Sequence, residues 1–86
     1  MPTVLAFHDV DDVDHWLSSS KRAELFGSAG VSVRTFRDPK GSNRVGLILE
    51  VADMAVVQEI LERDETAAAM EHDGVRPETL LILEEA

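Results

Sequence analysis

The chain has 86 residues, 44% of them hydrophobic, with 17 acidic residues against 8 basic ones and a net charge of −9. That balance argues against nucleic acid and anionic membrane as partners, since both are bound through a basic footprint. Cysteine is absent, which excludes disulfides, thiolate metal sites and a cysteine nucleophile.

Thr3–Val10 predicts a strand, with Val4, Ala6, His8 and Val10 on one face and Thr3, Leu5, Phe7 and Asp9 on the other. Asp9, Asp11, Asp12 and Asp14 follow, and Asp11 or Asp12 suits a helix N-cap. Val13, Trp16, Leu17, Ala23 and Phe26 then recur at helical spacing over roughly four turns, with a bend open at Ser18-Ser19-Ser20. Gly27 and Gly30 end that helix. Val31–Arg37 alternates as a second strand, and Asp38–Asn43 is a turn that makes it a hairpin with the next.

Arg44–Ala52 is the longest strongly apolar run. Val45, Leu47, Leu49 and Val51 share one face, and Gly46, Ile48, Glu50 and Ala52 the other. Asp53 suits an N-cap for Val56, Val57, Ile60 and Leu61, and Asp64-Glu65-Thr66 restarts the pattern. One bent helix or two in tandem both fit. Gly74 suits the C-cap, Pro77 lies beyond, and Thr79–Glu84 is the last predicted strand.

The resulting order, β-α-β-β-α-β, is that of a ferredoxin-like α+β domain over residues 1–86: a four-stranded antiparallel sheet with its helices on one face. The first and third strands are central. A strand with a wet face should alternate apolar and polar residues, yet Arg44–Ala52 is apolar on both faces except at Glu50. A second copy of the same sheet is the simplest cover, so a homodimer is expected. A chain this short also gains most from association, burying roughly 60% of its unfolded surface when alone. No apolar run nears the ~20 residues of a membrane span, and the N-terminus carries no signal-peptide pattern. Cytoplasmic residence is the expectation.

The motifs Val4-Leu5-Ala6-Phe7-His8-Asp9-Val10, Asp12, Asp14, Trp16, Ala29-Gly30-Val31, Phe36-Arg37, the Val45–Asp53 strand and its exit, Ala69-Met70-Glu71 and Gly74-Val75 span nearly the whole chain. In these the chain resembles the dimeric α/β-barrel superfamily, which includes antibiotic-biosynthesis-monooxygenase-like and polyketide-cyclase-like proteins and haem-degrading monooxygenases. It is similar to a small stand-alone branch of that group. The resemblance implies a barrel of two sheets paired face to face and a ligand site between a monomer's sheet and helices. Monooxygenase- or cyclase-like activity is the implied chemistry. No Asn occupies the first strand and Trp16 lies in the first helix, so a specific reaction does not carry over.

His8 is the foremost candidate catalytic residue. Its small neighbours Ala6 and Val10 leave room for a ligand, and a half-buried imidazole serves as general base or polar anchor. The plainer reading is a structural histidine bonded to a carbonyl or carboxylate. Trp16 fits the core or a pocket wall. Glu50 needs a partner if covered: Arg34, Arg37 or Arg44 would make an ion pair, and His8 would make it a base's support. His72 sits near a helix end, where a cation is favoured, and the resemblance makes it a candidate haem ligand; solvent exposure is the plainer reading. His15 is expected to be exposed. The three histidines are far apart and lack metal-ligand spacing, and no phosphate loop or nucleophile elbow is present, so neither a metal nor a cofactor is expected. A non-catalytic dimerisation module remains the alternative to a small-molecule pocket.

Overall fold

The computed structural model describes residues 2–86. Among them the strands are β1 (Thr3–Val10), β2 (Ser32–Arg37), β3 (Arg44–Glu50) and β4 (Val75–Glu84). They form one antiparallel sheet in the order β2-β3-β1-β4, which places the two most apolar strands at the centre.

Both helical stretches are split. The first gives α1 (Val13–Ser18) and α2 (Lys21–Gly27), with Ser19 extended between them. Three consecutive serines have weak helix propensity, and their hydroxyls offer the backbone other partners. Ser18 Oγ donates to the His15 carbonyl, and Lys21 N donates to Ser19 Oγ. The second stretch gives α3 (Met54–Glu62) and α4 (Asp64–Asp73), jointed at an extended Arg63. Asp12 caps α1 by accepting from His15 N at 3.1 Å, and Asp53 caps α3 by accepting from Ala55 N at 2.6 Å. Gly74 closes α4 at φ 73°, and a Cβ there would meet Asp11 Cβ at 3.3 Å. Glycine is thus needed for both its left-handed backbone and its close approach.

The covered face of the sheet is the core. Val4, Ala6 and Val10 of β1 and Val45, Leu47 and Leu49 of β3 are buried against Trp16, Val57 and Ile60 from the helices. The break at Ser19 rotates the first helical face: Ala23 is exposed, while Arg22, Leu25 and Phe26 turn inward.

β4 begins at Val75, four residues earlier than the sequence suggests, and continues through Pro77. Its register with β1 jumps from Phe7↔Leu81 to Asp9↔Arg76, so the segment 77–80 stands opposite His8 alone. This bulge in an edge strand accommodates a residue without an N–H. Thr79 Oγ1 accepts from Asp9 N at 2.8 Å and donates to the Arg76 carbonyl at 2.6 Å, replacing the lost ladder bond.

Candidate functional site

Between the sheet and the helices lies a cavity of about 80 Å³ whose walls are almost wholly apolar. His8 projects from β1 on its sheet side, beside the β4 bulge. The residue is 4% exposed, and Nδ1 is a buried atom with no hydrogen-bond partner among the described residues. A buried imidazole nitrogen left unpaired costs about 1–3 kcal/mol, so its retention needs a reason. Burial is the main cause holding the His8 pKa below the usual histidine value. Asp9 opposes that shift and the Arg22 cation adds to it. The ring is therefore neutral at pH 7, with one nitrogen able to accept and the other to donate.

Trp16 meets His8 edge to face, with ring centroids 5.6 Å apart, and is buried. Arg22 lies across the other part of the indole, its Cζ 4.0 Å from the ring centroid, and donates from Nη1 to the Trp16 carbonyl at 3.2 Å. Cation–π attraction and that bond hold the guanidinium beside the cavity. Burial lowers the Arg22 pKa and Asp73 raises it. Asp73, itself 4% exposed, is a further polar wall, together with Thr66, whose Oγ1 is spent on the Ile60 carbonyl.

His8 and Trp16 thus line one cavity. The other candidates lie elsewhere. Strand register pairs His8 with Val45 and Thr3 with Glu50, which puts His8 and Glu50 on opposite faces of the sheet. Glu50 therefore does not support His8. It accepts a hydrogen bond from Thr3 Oγ1 at 3.0 Å and has no ion pair with Arg34, Arg37 or Arg44 among the described residues. Arg34 is exposed on the same open face, opposite Ile48, and Arg44 pairs with Asp9. His72 has an exposed ring whose Nδ1 lies 2.9 Å from Asp73 Oδ1, outside the cavity lining. These residues do not fit a haem in the cavity. The candidate axial ligand is turned away and the space is far below the ~300 Å³ of ordinary cofactor pockets.

Arg22 and Asp73 were not anticipated. Arg22 becomes a wall because the serine break turns it inward. Asp73 did carry a signal: a carboxylate in the last turn of a helix is disfavoured by the dipole and calls for a compensating role.

No family model matches the chain, and no curated protein matches it in sequence. Solved structures do. An antibiotic biosynthesis monooxygenase aligns over 100% of this chain and 97% of its own, with a TM-score of 0.66 at 14% identity. An ethyl tert-butyl ether D (EthD) family protein from Bacillus halodurans C-125 aligns over the same shares, with a TM-score of 0.59 at 17% identity. A dimeric ferredoxin-like protein from an uncultured marine organism aligns over 99% of this chain and 91% of its own, with a TM-score of 0.54 at 11% identity. At these identities the likeness is one of architecture: the chain has the ferredoxin-like α+β fold of antibiotic-biosynthesis-monooxygenase-like proteins.

Proposed function

We propose that this chain binds a small, mainly apolar organic molecule in the cavity at His8 and works as a homodimer, with monooxygenase- or cyclase-like chemistry as the activity that suits the site. The orphaned, buried Nδ1 of His8 carries this reading. A hydrogen-bonding group on the ligand would satisfy it. In a catalytic setting the neutral imidazole takes an acidic proton from the ligand, Arg22 stabilises the anion formed, and Trp16 holds the ligand's flat face. The alignment with an antibiotic biosynthesis monooxygenase supports the class of chemistry and leaves the substrate open.

The homodimer rests on the open face of the sheet. Phe36, Leu81 and Leu83 are 46%, 53% and 46% exposed there, beside half-buried Leu5, Phe7 and Ile48. Phe7 lies over Gly46, which leaves a flat apolar surface at its centre. Such a face on a soluble chain calls for a partner, and the marine ferredoxin-like protein is dimeric. In this assembly the face that carries Arg34 and Glu50 is covered. A cytoplasmic location accompanies this reading, in keeping with a domain without cysteine. The modest cavity favours one second reading, a dimerisation module without catalysis.

Phenol is a suitable probe, with a ring for the walls and one hydroxyl for His8. Titration followed by NMR should give saturable shifts at the Trp16 indole N–H. His8→Leu should weaken binding about 10-fold or more, the worth of one good hydrogen bond. Binding of equal strength in the variant would exclude His8 as the anchor. No saturable shift at Trp16 would leave the dimerisation module as the reading.

A further inference from the structure

His15 and His72 are 57 positions apart in sequence, yet their rings lie 5.4 Å apart, centroid to centroid. Asp73 joins them, and one donor atom from each of His15, His72 and Asp73 falls within 4.8 Å of the others. We propose that these three residues bind one divalent transition-metal ion of the zinc, nickel or copper kind, at the outer edge of the cavity.

Two imidazoles and a carboxylate are a donor set that these ions favour. Bonds of about 2.1 Å need ligand atoms roughly 3.4 Å apart. The pair His72 Nδ1 and Asp73 Oδ1 stands closer than that, at 2.9 Å. The exposed His15 and His72 side chains supply the remaining adjustment by rotation. The backbone sets the spacing beforehand. Asp11 N donates to the Gly74 carbonyl at 2.9 Å, and Arg76 Nε donates to Asp11 Oδ1 at 2.9 Å, tying the start of α1 to the end of α4. His15 and His72 ride on those two tied ends, so the ion does not have to bring them together.

The opposing terms are modest. The ion displaces the 2.8 Å contact between His15 Nε2 and the His72 carbonyl, and the His72–Asp73 contact. Each is one partly solvated hydrogen bond. Arg22 on the cavity side of Asp73 repels a cation, while the net charge of −9 attracts one. The balance gives micromolar affinity with solvent completing the coordination. The exposed rings leave the ion open to water, as in sites that exchange their outer ligand. Asp73 also lines the cavity, so the ion couples the histidine pair to the His8 site through a shared carboxylate.

The test is calorimetric titration of zinc chloride, and separately nickel chloride, into the tag-free chain. One ion per chain with a micromolar Kd is expected, weakened at least 10-fold in both His15→Ala and His72→Ala. Both rings are exposed, so circular dichroism and melting curves should show both variants folded. Substoichiometric copper(II) should broaden amide signals around His15 and Asp73 first. Absence of saturable binding, unchanged affinity in either variant, or broadening centred on other acidic residues would overturn the proposal.

Discussion

The two faces of the sheet come from the same strands and the same alternation, yet they are finished differently. On the covered face, Val4, Ala6, Val10, Val45, Leu47 and Leu49 are sealed by the chain's own helices. Within that seal one polar ring, His8, keeps a nitrogen unpaired next to a cavity. On the open face the polar residue Glu50 has its partner, Thr3, while Phe36, Leu81 and Leu83 are left uncovered. The covered face is shut off from solvent yet short of one hydrogen bond; the open face has its carboxylate bonded and its apolar side chains uncovered. Under the proposed function, a small molecule with a polar group would fill the first deficit. Under the same proposal, a second copy of the sheet would cover the second. The His8 cavity and the uncovered apolar face are thus separated by the thickness of a single strand layer.

Substitutions on each face should break different properties. Trp16→Ala has the largest expected effect, a loss of about 3–5 kcal/mol in unfolding free energy by urea denaturation, because it empties the centre of the covered face and frees Arg22. Trp16→Phe should recover part of that. Leu81→Arg, on the open face, should leave the monomer's fold intact and weaken dimerisation by about 30-fold or more, read by light scattering across a dilution series. A wild-type chain that stays monomeric at high concentration would refute the two-deficit comparison itself.

His8→Leu should hold or raise stability, by up to about 1 kcal/mol, because it removes an unpaired buried nitrogen. The same change should alter the pH dependence of stability. The folded-state pKa of His8 lies below its unfolded value, so the unfolded chain binds the proton more readily. Stability is then full above about pH 6.5 and falls as pH drops towards the folded pKa. The difference between wild type and His8→Leu, measured by urea denaturation at stepped pH, should show that fall in the wild type alone. Thr3→Val has the smallest expected effect, up to about 1 kcal/mol, through loss of the bond to Glu50. That cost should grow with protein concentration if the dimer covers Glu50, since a carboxylate buried without its partner is more costly than a wet one.

Much of this architecture was legible in the chain. Period-two alternation in Thr3–Val10 and Arg44–Glu50 determined which side chains share a face, because that period is a property of the extended backbone. The aspartate pair at 11 and 12, the aspartate at 53 and the glycine at 74 marked helix ends through chemistry confined to one turn, and the structure selects Asp12 of the pair. β-Branched and aliphatic runs identified the central strands, and their two apolar faces foretold the uncovered surface. The same alternation placed His8 on the face of Val4, Ala6 and Val10, while the roles of His8 and Trp16 in a site rest on the proposed function.

Tertiary structure decided what depends on residues far apart. Inter-strand register put His8 and Glu50 on opposite faces, a relation that no single strand's alternation contains. The bulge at 77–80 brought β4 alongside His8 despite Pro77, because Thr79 could take over the lost backbone bond. The turn between α1 and α2 aimed Arg22 inward, and the bonds joining Asp11 to Gly74 and Arg76 brought His15 to His72. Local periodicity fixes which way a side chain points from its own element. Which other side chain it then faces is set by packing between elements, and here that packing made both the cavity and the histidine pair.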